Sequence, residues 1–174
     1  MVHRISFIFA ALAACAFAGL AAAAAPQPKQ RVDAQSYTGR WYEIARIPNR
    51  LQRNCAAPYV DYTLDGIKVR AVQRCSPANG RSGRIYRSSG RILDPGTNAK
   101  VRLTFAGFWS QEYWIVEHDA AAGWALVGDP AGRWLWVMFR DPTPPEAARD
   151  AAVARVATLG YDARRLEFAG ARRG

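Results

Sequence analysis

Catalysis needs a nucleophile, an acid–base pair or a set of metal ligands, and this chain offers few of them. Beyond residue 25 it has one histidine, His118, and two cysteines, Cys55 and Cys75. A structural or catalytic zinc takes three or four nitrogen, sulfur or carboxylate ligands. With the two thiols joined to each other, no such set can be assembled. A hydrolytic triad would need His118 in a pocket. Strand alternation over Glu112–His118 instead sends Tyr113, Ile115 and Glu117 to one face, and Trp114, Val116 and His118 to the other. The notable carboxylate is Glu43. It sits in Gly39-Arg40-Trp41-Tyr42-Glu43-Ile44-Ala45-Arg46-Ile47-Pro48, a run of good strand formers between two breakers. Alternation places Trp41, Glu43 and Ala45 on one face, with Tyr42, Ile44 and Arg46 on the other. A carboxylate held inside beside an indole is costly without a partner. It either pairs with a cation such as Arg140 or anchors a ligand head group. Tyr62, Tyr113 and Glu43 are the only inward groups that could do acid–base work, so the chain reads as a non-enzyme.

The elements that must position these residues are short strands. Tyr59–Leu64 and Ile67–Gln73 flank Asp65-Gly66, a strong hairpin signal. Pairing Leu64 with Ile67 sets Val60, Tyr62 and Leu64 against Ala71, Val69 and Ile67 on one apolar face. The same register brings Cys55 nearly opposite Cys75, and in an exported protein that pair should be oxidised. Closing the loop would stabilise the fold by about 3 kcal/mol. Further strands follow at Arg84–Leu93, with Gly90 marking a bend or close approach, at Val101–Phe105 and at Glu112–His118. Turns fall at 94–98, 107–110 and 119–123. Trp124–Gly128 and Trp134–Arg140 form the last hairpin. Eight short strands at this spacing predict an all-β sandwich or up-and-down barrel. Thr143 as N-cap, Pro144 in the first turn and Glu146 in a capping box then open a helix that Gly160 ends. Its narrow stripe of Ala148, Ala152, Val156 and Leu159 suits the outside of a sheet. Arg165–Phe168 is a short final strand.

The 174 residues suit one domain with a sizeable core, half of them apolar, and the formal charge is +10. The cations are almost all arginine and scatter along the chain. That pattern predicts a basic surface drawn to anionic membranes and no nucleic-acid site. Residues 1–25 read as a signal peptide: Arg4, an apolar run from Ile5 to Leu20, then alanines before Pro26. Two processing routes fit. One cuts among Ala21–Ala25. The other uses Leu12-Ala13-Ala14-Cys15, which matches a lipoprotein box with Cys15 as the lipidated residue. Residues 26–36 form a polar lead-in that is either mobile or lies across one end of the fold.

Taken together, the Gly39-x-Trp41 strand, the strand count, the late helix and Trp136-Val137-Met138-Phe139-Arg140 resemble the lipocalin family. The match is nearest to its bacterial outer-membrane lipoprotein branch, which is similar to apolipoprotein D, and covers a domain at residues 34–170. The family's second motif survives only as His118-Asp119-Ala120. The resemblance implies an eight-stranded antiparallel up-and-down barrel with one C-terminal helix packed outside and a short final strand. It also implies that Arg140 lies across Trp41 at the closed end, with Gly39 and Asp119 as structural motif residues. Inward parity then nominates Tyr62, Val69, Phe105, Tyr113, Val127, Trp134 and Trp136 as ligand-binding, with Leu51 on a lid and Glu43 below. Leu64, Ile67 and Val101 are expected at the closed end. By resemblance the ligand is a small hydrophobic molecule, a fatty acid or lysophospholipid, bound with no cofactor by a monomer or weak dimer. The place implied is the periplasm or the periplasmic face of the outer membrane. A surface acting in envelope stress or protein interaction is the alternative.

Overall fold

Alternating apolar residues force each strand to hide one face, and the chain does this by closing a sheet on itself. The computed structural model describes residues 24–53, 55–76 and 83–170. Its barrel strands are β1 (Gly39–Arg46), β2 (Ala57–Asp65), β3 (Lys68–Ser76), β4 (Arg84–Ile92), β5 (Lys100–Phe105), β6 (Trp109–Asp119), β7 (Trp124–Gly128) and β8 (Leu135–Phe139). Each pairs antiparallel with the next, and β1 pairs with both β2 and β8, which closes the ring. The helix α1 (Glu146–Thr158) and the two-residue strand β9 (Glu167–Phe168) follow. The architecture is the expected eight-stranded up-and-down barrel with one helix outside and a short last strand.

Two apolar clusters hold it. Trp41, Val60, Ala71, Leu103, Ile115 and Met138 belong to the cluster inside the barrel. Val137, Phe139, Leu126, Trp114, Ala152 and Val156 belong to the one between the barrel and α1. Every residue of β7 and β8 is buried. That explains why Trp-Ala-Leu-Val-Gly and Leu-Trp-Val-Met-Phe read as continuous apolar runs: both faces are covered.

The β2–β3 hairpin departs from the expected register by two residues. Leu64 pairs with Val69 and Asp65 with Lys68, so the turn is Gly66-Ile67, with Gly66 at φ +57. Glycine at the first central position is the II′ preference. A shift of two preserves the inward set on both strands, but it expels Ile67, which is half exposed rather than packed at the closed end. Cys55 and Cys75 are joined by a disulfide that ties the segment before β2 to the end of β3. At Gly90 an added Cβ would lie 1.7 Å from the Arg102 carbonyl oxygen, so close approach is what that glycine serves.

Two bulges correct the alternation. In β1, Glu43 pairs with Met138 but Ala45 pairs with Val137, so the extra residue, Ile44, reverses the faces beyond it. Arg46 then faces in opposite Trp136, and Ala45 faces out. In β6 the shift falls between Ile115 and Glu117. Glu117 thus points out to an ion pair with Arg155 of α1, while His118 takes the inner side opposite Ala125. His118 was expected on the outside. The helix start is also different: Pro145 is the cap residue and makes no side-chain cap bond. Thr143 hydrogen-bonds to Asp141 instead, in an Asx turn before the two prolines.

At the closed end the Arg140 guanidinium lies 4.1 Å from the Trp41 ring centroid. It donates to the carbonyls of Arg40 and Ser36. Gly39 (φ +87) passes beside its Nη1, where an added Cβ would sit 3.5 Å away. Asp119 accepts from the Ala122 amide and closes the β6–β7 turn, whose Gly123 carbonyl takes the Arg140 amide. The lead-in does lie across this end. Val32 is buried there, and Tyr37 stacks on Trp41 at 4.6 Å between centroids.

Candidate functional site

Above that floor the barrel encloses a cavity of about 900 Å³, open between the loops at the far end. Strand direction decides which side chains reach it. From β2 come Val60 and Tyr62, from β3 Ala71 and Gln73, from β5 Leu103 and Phe105, and from β8 Trp136 and Met138. Of the nine residues nominated from sequence, Glu43, Leu51, Tyr62, Phe105, Tyr113, Val127, Trp134 and Trp136 line this space. Val69 does not. It borders a much smaller void at the closed end, about 30 Å³, beneath Tyr62. Leu51 sits exposed on the lip, and the Trp134 ring lies under the Arg133 guanidinium.

One polar network interrupts the apolar wall. Arg46 Nη1 donates to Glu43 Oε1 at 2.6 Å, and both side chains are almost wholly buried. Arg46 Nη2 also donates to the carbonyls of Gln52 and Cys55, each at 3.2 Å. Gln52 reaches in from the β1–β2 loop, donates to Glu43 Oε2, and accepts from Trp136 Nε1 at 2.8 Å. Asn49 holds the loop by accepting the Gln52 amide. The Glu43 partner is therefore Arg46, three residues along, and not Arg140. A straight strand would put residues 43 and 46 on opposite faces, and the bulge at Ile44 is what brings them together.

Burial pushes the Glu43 carboxyl above its ordinary range, with Arg46 and Gln52 opposing the shift. The Tyr62 and Tyr113 phenols are also pushed up. Burial is the main cause for each, with Glu43 adding at Tyr62, then Tyr62 and Asp129 at Tyr113. Phenols held protonated in this way donate hydrogen bonds and are poor bases. His118 Nδ1 is buried without a hydrogen-bond partner, at the closed end and away from this cavity.

Sequence reasoning missed Arg46 and Gln52, which face in only because of a bulge and a loop. It also missed Phe108 and Trp109, which line the mouth, and Tyr86 and Ser88 from β4. Alternation from Gly90, which pairs with the inward Val69, would have found the last two. Cys15 lies outside the described residues, as does nearly all of the segment read as a signal peptide.

Residues 32–171 match the family model described as a lipocalin-like domain. The chain belongs to the lipocalin family. This lipocalin is 29% identical to temperature-induced lipocalin-1 of Arabidopsis thaliana over 143 residues, 78% of this chain and 77% of that one. It is 29% identical to outer membrane lipoprotein Blc of Escherichia coli K12 over 133 residues, 75% and 74% of the two chains. Apolipoprotein D of Bos taurus matches at 24% over 132 residues, 70% and 68% of the two chains. Among solved structures, insecticyanin from Manduca sexta superposes on it with a TM-score of 0.68 at 16% identity, over 87% of this chain and 88% of that one. The amine binding protein of Rhodnius prolixus, in its tryptamine complex, gives 0.64 at 14% identity, over 85% and 86%. At those identities the structures speak for the fold of this lipocalin alone.

Proposed function

We propose that this lipocalin binds a long-chain lipid, a fatty acid or lysophospholipid, and stores or carries it within a bacterial cell envelope. The cavity is the observation that carries the reading: about 900 Å³, walled by aromatic and aliphatic side chains, with its few polar groups concentrated around Glu43 and at the mouth. Pockets of this size and makeup bury most of a small apolar ligand. Chain length follows from energetics. Each buried methylene contributes about 0.8 kcal/mol, and association costs roughly 4–15 kcal/mol. On the order of ten methylenes are needed to offset that cost, which favours a long acyl chain. The envelope location is supported by the apolar segment before Pro26 and by the relatives named outer membrane lipoproteins. The protein acts without a cofactor, as a monomer or weak dimer.

Displacement of a fluorescent fatty acid, followed in solution, tests the ligand. The parent should release the probe to oleate or lysophosphatidylcholine at micromolar concentrations. Ser88→Trp, which projects into the cup from β4, should lose probe binding while keeping its melting temperature. A parent that binds no lipid at high micromolar concentration would remove the proposal. Intact mass of the exported protein would report whether Cys15 carries acyl chains or is cut away.

A further inference from the structure

The mouth and the floor of the barrel differ in charge as well as in shape. The closed end carries both signs: Asp65 ending β2, Asp94 between β4 and β5, Asp119 ending β6 and Asp141 after β8 stand with Lys68 opening β3, Lys100 opening β5 and Arg140. The mouth is more one-sided. Among its described residues the cations are Arg50 and Arg53 in the β1–β2 loop, Arg84 opening β4, and Arg133 in the β7–β8 turn. The one acid in those connections is Asp129, fully buried and paired with Arg133. Arg84 donates to the Arg53 carbonyl at 2.9 Å, which gathers two of these arginines on one side of the opening.

Apolar side chains stand among them, out in water. Phe108 is 85% exposed at the tip of the β5–β6 turn, beside Trp109, and Leu51 is half exposed in the β1–β2 loop. The turn that presents Phe108 holds Ala106 at φ +49 and Gly107 at φ +80. A left-handed alanine costs about 1–2 kcal/mol.

The geometry points to the mouth as a docking surface for an anionic lipid bilayer. Phe108, Trp109 and Leu51 enter the acyl boundary, while Arg50, Arg53 and Arg84 meet the phosphates. Exposed apolar tips and arginines at one end of a fold supply the two contributions of an interfacial membrane contact. Docked this way, the cavity opens directly onto the lipid, and an acyl chain can pass between bilayer and cup without crossing water.

Flotation with vesicles tests the surface with no added ligand. Vesicles of equal parts phosphatidylglycerol and phosphatidylethanolamine are compared with vesicles of phosphatidylcholine. The parent should float with the first and stay behind with the second. Phe108→Ser should lower partitioning about tenfold, and Arg50→Gln and Arg53→Gln about fivefold each. Leu51→Ser, on a separate loop, is the second apolar probe and should also weaken it. Ile67→Ser changes an equally accessible side chain at the closed end, and Arg91→Gln a cation near that end, so both should float like the parent. Equal flotation with both vesicle types overturns the proposal. So does a loss in Arg91→Gln matching that in Arg50→Gln, or full binding in both Phe108→Ser and Leu51→Ser. Lipid displacement is read in solution, so a failure of docking leaves the ligand proposal standing, and the reverse holds.

Discussion

Replacing Arg46 by methionine keeps the length of the side chain and removes the cation 2.6 Å from Glu43. The carboxylate then has only Gln52 for company, with 3% of its side chain exposed. The carbonyls of Gln52 and Cys55 lose their donor as well. Breaking a buried ion pair from one side costs about 3–5 kcal/mol, which lowers the melting temperature by roughly 10 °C for a domain of this size. The loss should also depend on pH. Glu43 already titrates above its ordinary value in the folded chain, and without Arg46 it rises further. Between the unfolded and folded values the native state holds a proton that the unfolded state has released. Stability therefore falls as pH rises through that window and recovers on acidification. The deficit of Arg46→Met should be largest at neutral pH and above, and narrow as the pH is lowered towards the unfolded value. Glu43→Met combined with Arg46→Met should restore most of the stability, since apolar replacement of a buried pair is often neutral or better. Urea unfolding followed by tryptophan fluorescence, over a pH series and as a double-mutant cycle, measures all of this. A single-variant cost below about 1 kcal/mol, the range of exposed pairs, would refute the reasoning. So would a deficit that stays constant with pH.

Trp41→Ala should cost about 3–5 kcal/mol in the same unfolding assay, because it empties the floor under Tyr37 and Arg140. Arg140→Met should cost less. The cation–π contact contributes about 0.5–2 kcal/mol, with the two carbonyl contacts added to it. Gly90→Ala should destabilise by about 3 kcal/mol or more, since β4 and β5 must part to admit the methyl group. Amide exchange should localise that effect to these two strands.

The sequence makes the barrel legible because its signals are local. Asp65-Gly66 marks a hairpin and alternation assigns the inward faces of β2, β3 and β5; those of β7 and β8, apolar throughout, and the pairing of Trp41 with Arg140 at the floor follow from the family resemblance. Legibility stops where a single extra residue is decided by the closed sheet. Neither Ile44 nor Val116 differs in type from an ordinary strand residue, yet the bulges beside them reverse Arg46 and His118. The polar network needed both a bulge and a loop glutamine to form. One clue was present: a carboxylate at 43 and a guanidinium at 46 can share a buried face only if the strand between them is irregular. The mouth was harder still. Phe108 and Trp109 read as part of a turn, and composition cannot show which of the scattered arginines stand at the opening.

The ring of strands is not equally fastened all round. β1 and β2 pair over four residues, Gly39 to Tyr42, whereas β2 and β3 pair over nine. Past Tyr42 the free side of β1 is covered by β9, through Ala45 with Phe168 and Arg46 with Glu167. The Ala169 amide donates to the Ile44 carbonyl and the Gly170 amide to that of Ala56, so this tail bridges β1 to the segment leading into β2. Local opening favours the segment with the fewest contacts. The upper half of this seam is thus where the wall can yield, sideways and towards the mouth, with every other strand pairing left intact. An occupant too bulky for the cup would be accommodated by loosening β9 and residues 169–170, far from β1 in sequence but stitched into its wall.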